Sequence, residues 1–350
     1  MAKFDIVIPC YNYGRFLESC VRSVLSQSET DLRVLVIDDA SSDDSVAAAR
    51  KLTDEDSRVA LVAHDINKGH IETYNEGLAW ASSDYLLLLS ADDLLVPGAL
   101  ARAGEVMDAN SDVVLTFGDC VAWFEAEPPP RIKPIESYSW ERCDLLRLIC
   151  ATATNLVPTP TAIVRTSAQK IIGGYRKSLP HSGDMEMWLR FAASGSVARI
   201  GAIQAIYRKH DAAMSNAYFE SLMADWRQRE LAFESFFDAY QDHIDPLGNL
   251  ATISRLALAD AIFQQGAGFM RRGRITEGFS LLRCAMDRDS RLRQLPALLR
   301  LLKPPGPAGR SWAVSSLAQA AKRFRGGARR LSKEGPPASA CACEETNVQS

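Results

Sequence analysis

None of the apolar runs in this 350-residue chain reaches the ~18 residues that a membrane span needs, although 47% of its residues are hydrophobic. Met1-Ala-Lys-Phe-Asp-Ile6 lacks the charged and apolar regions of a signal peptide. Cysteine is present without a framework. The eight, at positions 10, 20, 120, 143, 150, 284, 341 and 343, include no Cys-x-x-Cys pair, which argues against a disulfide scaffold and suits a reducing cytoplasm. Cys341-Ala-Cys343 stands in a polar tail without partner ligands, so no metal site is expected there. Nucleic-acid binding has only a basic segment behind it, with no interleaved motif residues, and is not expected. What remains is a cytoplasmic chain able to bury a sizeable core, with one large domain and an appendage as the natural division.

Acidic residues are missing from one segment. Arg291 to Lys333 holds eleven Lys and Arg and no Asp or Glu, so the formal net charge of −3 conceals an acidic body. Trp312, Val314, Leu317, Ala321 and Phe324 can line one helical face beside Lys322, Arg323 and Arg325. This pattern suits peripheral contact with an anionic membrane, such as the cytoplasmic face of an inner membrane. Equally, it suits a helix that packs its apolar face on the body.

Strands and helices alternate through the first third of the chain. Phe4 to Pro9, Leu32 to Ile37, Val59 to Ala63, Tyr85 to Leu89 and Val113 to Phe117 read as buried strands. Helical spacing of Phe16, Leu17, Cys20, Val21, Val24 and Leu25, and helices over 45–51, 69–81 and 97–109, fill the intervals. Such alternation specifies an α/β, mostly parallel doubly wound sheet. After Gly118 the rhythm breaks. A loop over 125–134, a helix over 140–150, a strand over 161–165, a helix over 185–193 and an extended segment over 197–207 are expected, then helices only from Tyr218. Residues 257–286, around Gly273, resemble a single helical hairpin of tetratricopeptide length. The expected division is a catalytic domain over 1–215, with halves 1–117 and 118–215. A helical region over 216–333 and a disordered tail over 334–350 complete it.

The apolar run Tyr85–Leu89 stops at Ser90-Ala-Asp-Asp93, and Leu32–Ile37 stops at Asp38-Asp39. In open α/β sheets ligands sit outside the carboxyl ends of strands. Paired carboxylates there are hard ligands for Mg²⁺ or Mn²⁺, which usually take substrate phosphates as further ligands. The same residue type also serves turns and helix caps, so each pair has that second reading.

Four stretches occur in order: Ile6-Val-Ile-Pro-Cys-Tyr-Asn12, Val36-Ile-Asp-Asp-Ala-Ser-Ser-Asp43, Asn67-Lys-Gly69 with Asn75-Glu-Gly77, and Leu89-Ser-Ala-Asp-Asp-Leu-Leu-Val-Pro97. Their combination resembles the family-2 glycosyltransferases, enzymes with the A-type nucleotide-sugar-binding fold. The resemblance is specific over residues 3 to 120 and extends to about 215. It implies that Pro9 and Tyr11 pack on the nucleotide base, that Asn12 belongs to the nucleotide-sugar site, and that Asp39 accepts the ring N–H of a UDP base. Asp38 would contact ribose, with Asn67, Gly69 and Asn75 completing the donor site. Asp92 and Asp93 match the Asp-x-Asp element, Asp93 as the direct metal ligand and Asp92 shared between metal and donor. His210 matches a late element that approaches the metal or diphosphate; the other four histidines support no role. Asp184, in Ser182-Gly-Asp-Met-Glu-Met-Trp188, matches the catalytic base of inverting members, with Glu186 as an understudy and helix capping as the plain alternative.

Two positions depart from the family pattern. Ser90 replaces a frequent leading acid, and Tyr74 replaces an Arg that meets the diphosphate, so Arg15, Lys68 or Lys177 is expected to supply the cation. The implied activity is metal-dependent transfer of a sugar, UDP-linked, to a saccharide or lipid-linked saccharide acceptor with inversion, in cell-surface polysaccharide or glycoconjugate synthesis. A catalytically silent sugar-nucleotide-binding module is the alternative from another class. A signalling receiver domain also ends an early strand in paired aspartates, but it is far shorter and leaves Pro9–Asn12 and Asp184 unexplained.

Overall fold

The computed structural model describes residues 3–133, 135–213, 222–245, 248–293 and 348–349. They form two compact units, one from Met1–Asp144, Val157–Glu220 and Glu345–Ser350, the other from Leu145–Leu156 and Ser221–Glu344. The division expected near 215 is therefore met by an earlier excursion, because Leu145–Leu156 belongs to the helical unit.

In the first unit the strands are β1 (Phe4–Cys10), β2 (Leu32–Asp38), β3 (Val59–Ala63), β4 (Tyr85–Leu88), β5 (Leu94–Leu95), β6 (Val113–Phe124), β7 (Ser137–Tyr138), β8 (Trp140–Arg142), β9 (Ile163–Arg165) and β10 (Ser196–Lys209). The main sheet runs β3-β2-β1-β4-β9-β6-β10-β5, with β8 on β10. The β3-β2-β1-β4 half is parallel, as the alternation predicts. Phe4, Ile6, Val7 and Ile8 of the central strand are wholly buried. Each such side chain contributes roughly 1.5–3 kcal/mol.

Two expectations change. Residues 140–150 are not one helix. Trp140–Arg142 pairs antiparallel with Ala198–Ile200 of β10, and only Leu145–Thr152 is helical. β9 enters antiparallel between β4 and β6, which makes this half of the sheet mixed.

Helices α1 (Gly14–Leu25), α2 (Ser45–Glu55), α3 (His70–Trp80) and α4 (Ala99–Ala109) link the parallel strands. α1 buries Phe16, Leu17, Cys20, Val21 and Val24, the stripe read from its spacing. Gly77 lets α3 lie close on β1: a Cβ there would stand 2.2 Å from Val7 Cγ1. β1 is flanked by β2 on one side and β4 on the other, so the loops after all three open on one edge of the sheet.

The helical unit contains α5 (Leu145–Thr152) and three later helices. After α6 (Thr166–Ile172) and α7 (Gly183–Ser194) of the first unit, these are α8 (Leu222–Ile244), α9 (Asn249–Arg271) and α10 (Ile275–Arg288). The expected hairpin around Gly273 is α9–α10, with Gly273 in the left-handed region at φ 79°. Gly266 and Gly278 face each other closely enough that a Cβ on Gly266 would stand 3.0 Å from the Gly278 carbonyl oxygen. The basic segment's helical face, residues 312–325, lies outside the described residues. No helix of the described residues is long and apolar enough to cross a membrane.

Candidate active site

A cleft of about 760 Å³ opens in the first unit, where the loops after β1, β2 and β4 meet the α7 region. Its volume lies in the range of small-molecule sites. Pro9, Tyr11, Asn12, Asp39, Asn67, Gly69, Asp92, Asp93 and Asp184 all line it, as do Tyr74 and Ser90. Among the described residues, the lining therefore holds four carboxylates and no Lys or Arg.

Asp39 follows β2 and is nearly buried. Its Oδ1 accepts the Lys68 N–H at 2.8 Å, its Oδ2 accepts the Gly69 N–H at 2.9 Å, and His64 Nδ1 lies 2.8 Å from Oδ1. Asn67 donates to the Asp39 carbonyl at 3.1 Å. This clasp shapes the Asn67-Lys-Gly69 turn, where Gly69 takes φ 85°. Burial pushes the Asp39 carboxyl up, but these hydrogen bonds outweigh it and hold it below its ordinary range. Asn12, at φ 57°, accepts the Ser42 N–H at 2.8 Å and so ties the first two motif loops together.

Three expected donor or metal residues lie outside the cleft lining. Asp38 is wholly buried, with Oδ2 accepting the Ser41 N–H at 2.9 Å, so it turns the chain and does not face ribose. Asn75 uses its amide in both directions on the Tyr175 backbone, accepting at 2.7 Å and donating at 2.9 Å. It clasps α3 to the Gly173-Gly174-Tyr175 segment and does not line the cleft. His210 stands behind the aspartate pair: its Nε2 lies 3.0 Å from Asp92 Oδ2, with its ring packed by Tyr13 and Phe16. It contacts Asp92 from outside the cleft lining.

The Asp92–Asp93 turn is held from β10. The Arg208 N–H donates to Asp93 Oδ1 at 3.0 Å, and its guanidinium donates to the Asp92 carbonyl at 2.9 Å. That guanidinium lies between the rings of Phe16 and Trp123. Burial, then the neighbouring Asp92 charge, push Asp93 well above the ordinary carboxylate range. A divalent cation held there would relieve that conflict. Two adjacent carboxylates fit Mg²⁺ or Mn²⁺ whose remaining ligands are phosphate oxygens and water. Among the described residues no group of three or more His, Cys, Asp or Glu side chains could hold a metal unaided.

The expected substitutes for the cation missing at Tyr74 do not line the cleft. Arg15 pairs with Glu125 at 3.2 Å, Lys68 with Glu76 at 3.0 Å, and Lys177 with Glu72. Tyr74 instead packs edge-on between His70 and Tyr175.

Asp184 sits in the first turn of α7 without capping it: the cap position is Ser182, and no side-chain cap bond forms. Its Oδ2 accepts the Thr159 hydroxyl at 2.8 Å. Burial raises its carboxyl, with hydrogen bonds from Thr159 and Tyr175 opposing the rise. Glu186 is fully buried, its two oxygens paired with Arg176 at 2.8 Å and Arg190 at 2.8 Å, so it cannot stand in as a base. Thr159, Tyr175 and His64 carry no motif and were not legible in the sequence; each is recruited by folding alone.

A parallel half-sheet whose strand ends open on an acidic cleft is the arrangement of the A-type nucleotide-sugar-binding fold. Known folds agree. S. aureus TarS 1-349 in complex with UDP-GlcNAc is 16% identical with a TM-score of 0.53, the match covering 93% of this chain and 92% of that one. Mannosyltransferase PcManGT from Pyrobaculum calidifontis, in complex with GDP-Man and Mn²⁺, is 17% identical with a TM-score of 0.55, covering 95% and 88%. At these identities the likeness shows the fold.

Residues 5–169 match the family described as Glycosyl transferase family 2. The GalNAc(5)-diNAcBac-PP-undecaprenol beta-1,3-glucosyltransferase of Campylobacter jejuni is 31% identical over 122 residues, 35% of this chain and 39% of that protein. An uncharacterized glycosyltransferase of Rickettsia typhi is 24% identical over 220 residues, 62% of this chain and 67% of that one. The chain thus spans well under half the length of the Campylobacter relative it matches.

Proposed function

We propose that this chain is an inverting, metal-dependent glycosyltransferase that moves a sugar from a UDP-linked donor to a hydroxyl acceptor. One observation carries the reading: a single cleft gathers Asp39, Asp92, Asp93 and Asp184, with no Lys or Arg among the described residues that line it. A donor diphosphate cannot enter so acidic a cleft uncompensated, and Asp92 and Asp93 would hold the divalent ion that compensates it. When bound, that ion supplies charge stabilisation for the leaving diphosphate.

The chain's own residues do the rest. Asp39 accepts the ring N–H of uracil, while Pro9 and Tyr11 offer flat faces to the base. Asp184 takes the proton of the acceptor hydroxyl as that oxygen bonds to the anomeric carbon and the bond from that carbon to the diphosphate oxygen breaks. UDP leaves with the electron pair, and attack from the opposite face inverts the anomeric centre. The raised Asp184 carboxyl suits a base that must bind a proton during turnover. By likeness to the Campylobacter relative, whose name specifies an undecaprenyl diphosphate-linked substrate, the acceptor class is a lipid-linked saccharide.

Asp93→Ala tests the reading. The variant is expected to fold, to lose metal-dependent binding of UDP-sugar in calorimetry, and to lose transfer. Full native activity in excess EDTA would refute metal dependence. Donor turnover absent under every condition, despite tight UDP binding, would favour the silent binding module.

A further inference from the structure

His64 is the first residue after β3, and its side chain is only 3% exposed. Nδ1 lies 2.8 Å from Asp39 Oδ1, and Nε2 lies 3.0 Å from Glu76 Oε2. The backbone N–H donates to the Asp38 carbonyl at 2.9 Å, which fixes the ring's origin on the β2 end. We propose that His64 is a positioning residue of the nucleobase site: one buried imidazole donates to both Asp39 and Glu76 and so fixes the Asp39 carboxylate for the base of the donor. This rests on the reading of Asp39 as the acceptor for uracil.

The chemistry of the ring carries the argument. A neutral imidazole has one donor and one acceptor nitrogen, whereas an ionised carboxylate only accepts. Two carboxylates on opposite nitrogens are both satisfied only when both nitrogens carry hydrogen. The charged groups facing the ring are Asp39 at the end of β2, Glu76 on α3 and, through Glu76 Oε2 at 3.0 Å, the Lys68 ammonium. Asp65, the next residue in the chain, is exposed.

A carboxylate offers about four acceptor positions. On Asp39, His64 and the Lys68 N–H use Oδ1, and the Gly69 N–H uses one side of Oδ2. One position on Oδ2 is left for a ligand, which matches the single ring N–H of uracil. Without His64 the carboxylate is free to turn about its last bond, and that alignment is lost. The chain thus couples α3, the Asn67-Lys-Gly69 turn and the nucleobase acceptor through one ring.

Calorimetric titration of UDP with Mn²⁺ into the full chain tests this. His64→Leu is expected to weaken UDP by about tenfold or more, the value of a hydrogen bond to a charged group. In His64→Asn the amide reproduces the Nδ1 donor, so affinity should stay within about threefold of native.

Equal UDP affinity in folded His64→Leu and native protein overturns the inference. Should His64→Leu fail to fold, a folded His64→Asn that binds UDP about tenfold or more weakly than native overturns it. Failure of native protein to bind UDP at all would overturn the nucleotide reading, and this inference with it.

Discussion

Asp184→Asn is the sharpest test of the inverting mechanism. Asp184 accepts the Thr159 hydroxyl at 2.8 Å, and an asparagine oxygen can accept the same bond. The substitution removes a charge that burial disfavours and breaks no helix cap. Its melting temperature should therefore stay within about 2–4 °C of native. UDP and Mn²⁺ binding should be unchanged, since Asp39, Asp92 and Asp93 are untouched. An amide accepts no proton near neutrality, so transfer should fall at least about a hundredfold, equivalent to about 2.7 kcal/mol of barrier. Release of UDP with a saturating acceptor gives kcat, and calorimetry gives donor affinity on the same sample.

A pH profile adds an independent check. Because burial raises the Asp184 carboxyl above the ordinary aspartate value of 3.8, activity should be lost as pH falls through a value above that figure. Thr159→Val deletes a bond that lowers it, so the acid limb should move further up. Undiminished turnover per folded molecule in Asp184→Asn would remove Asp184 from the chemistry. Glu186 could not then replace it, being buried between two arginines.

Glu186→Gln should instead act on stability, lowering it by about 3 kcal/mol through the unpaired Arg190 while UDP affinity is unchanged; thermal unfolding reads this, and an unaltered melting temperature would refute it. For the basic segment, native chain should pellet with anionic vesicles at low salt more than a chain ending at Arg293, each added cation contributing about 1 kcal/mol. Equal pelleting would refute membrane docking.

The parallel half of the sheet was legible because its signals are local. Buried parallel strands are apolar throughout, so Phe4–Cys10, Leu32–Asp38 and Tyr85–Leu88 announce themselves, and their ends appear where Asp follows the apolar run. Helix α1 shows its buried stripe through spacing alone. The chain after Gly118 was harder, because its partners are remote. Trp140–Arg142 is a strand only since β10 lies beside it, and nothing in those three residues distinguishes that edge from the start of a helix.

The same division runs through the site. Strand-end position marked Asp39, Asp92 and Asp93, and the family resemblance marked Pro9, Tyr11 and Asp184; all six line the cleft. Only the tertiary structure decided that Asn75 closes on Tyr175, that His210 backs Asp92, and that His64 joins Asp39 to Glu76. These contacts link residues 100, 118 and 25 or 12 positions apart. A hydrogen-bonding side chain declares its capacity in the sequence, but its partner is chosen by packing, and packing of remote segments exists only in the folded chain.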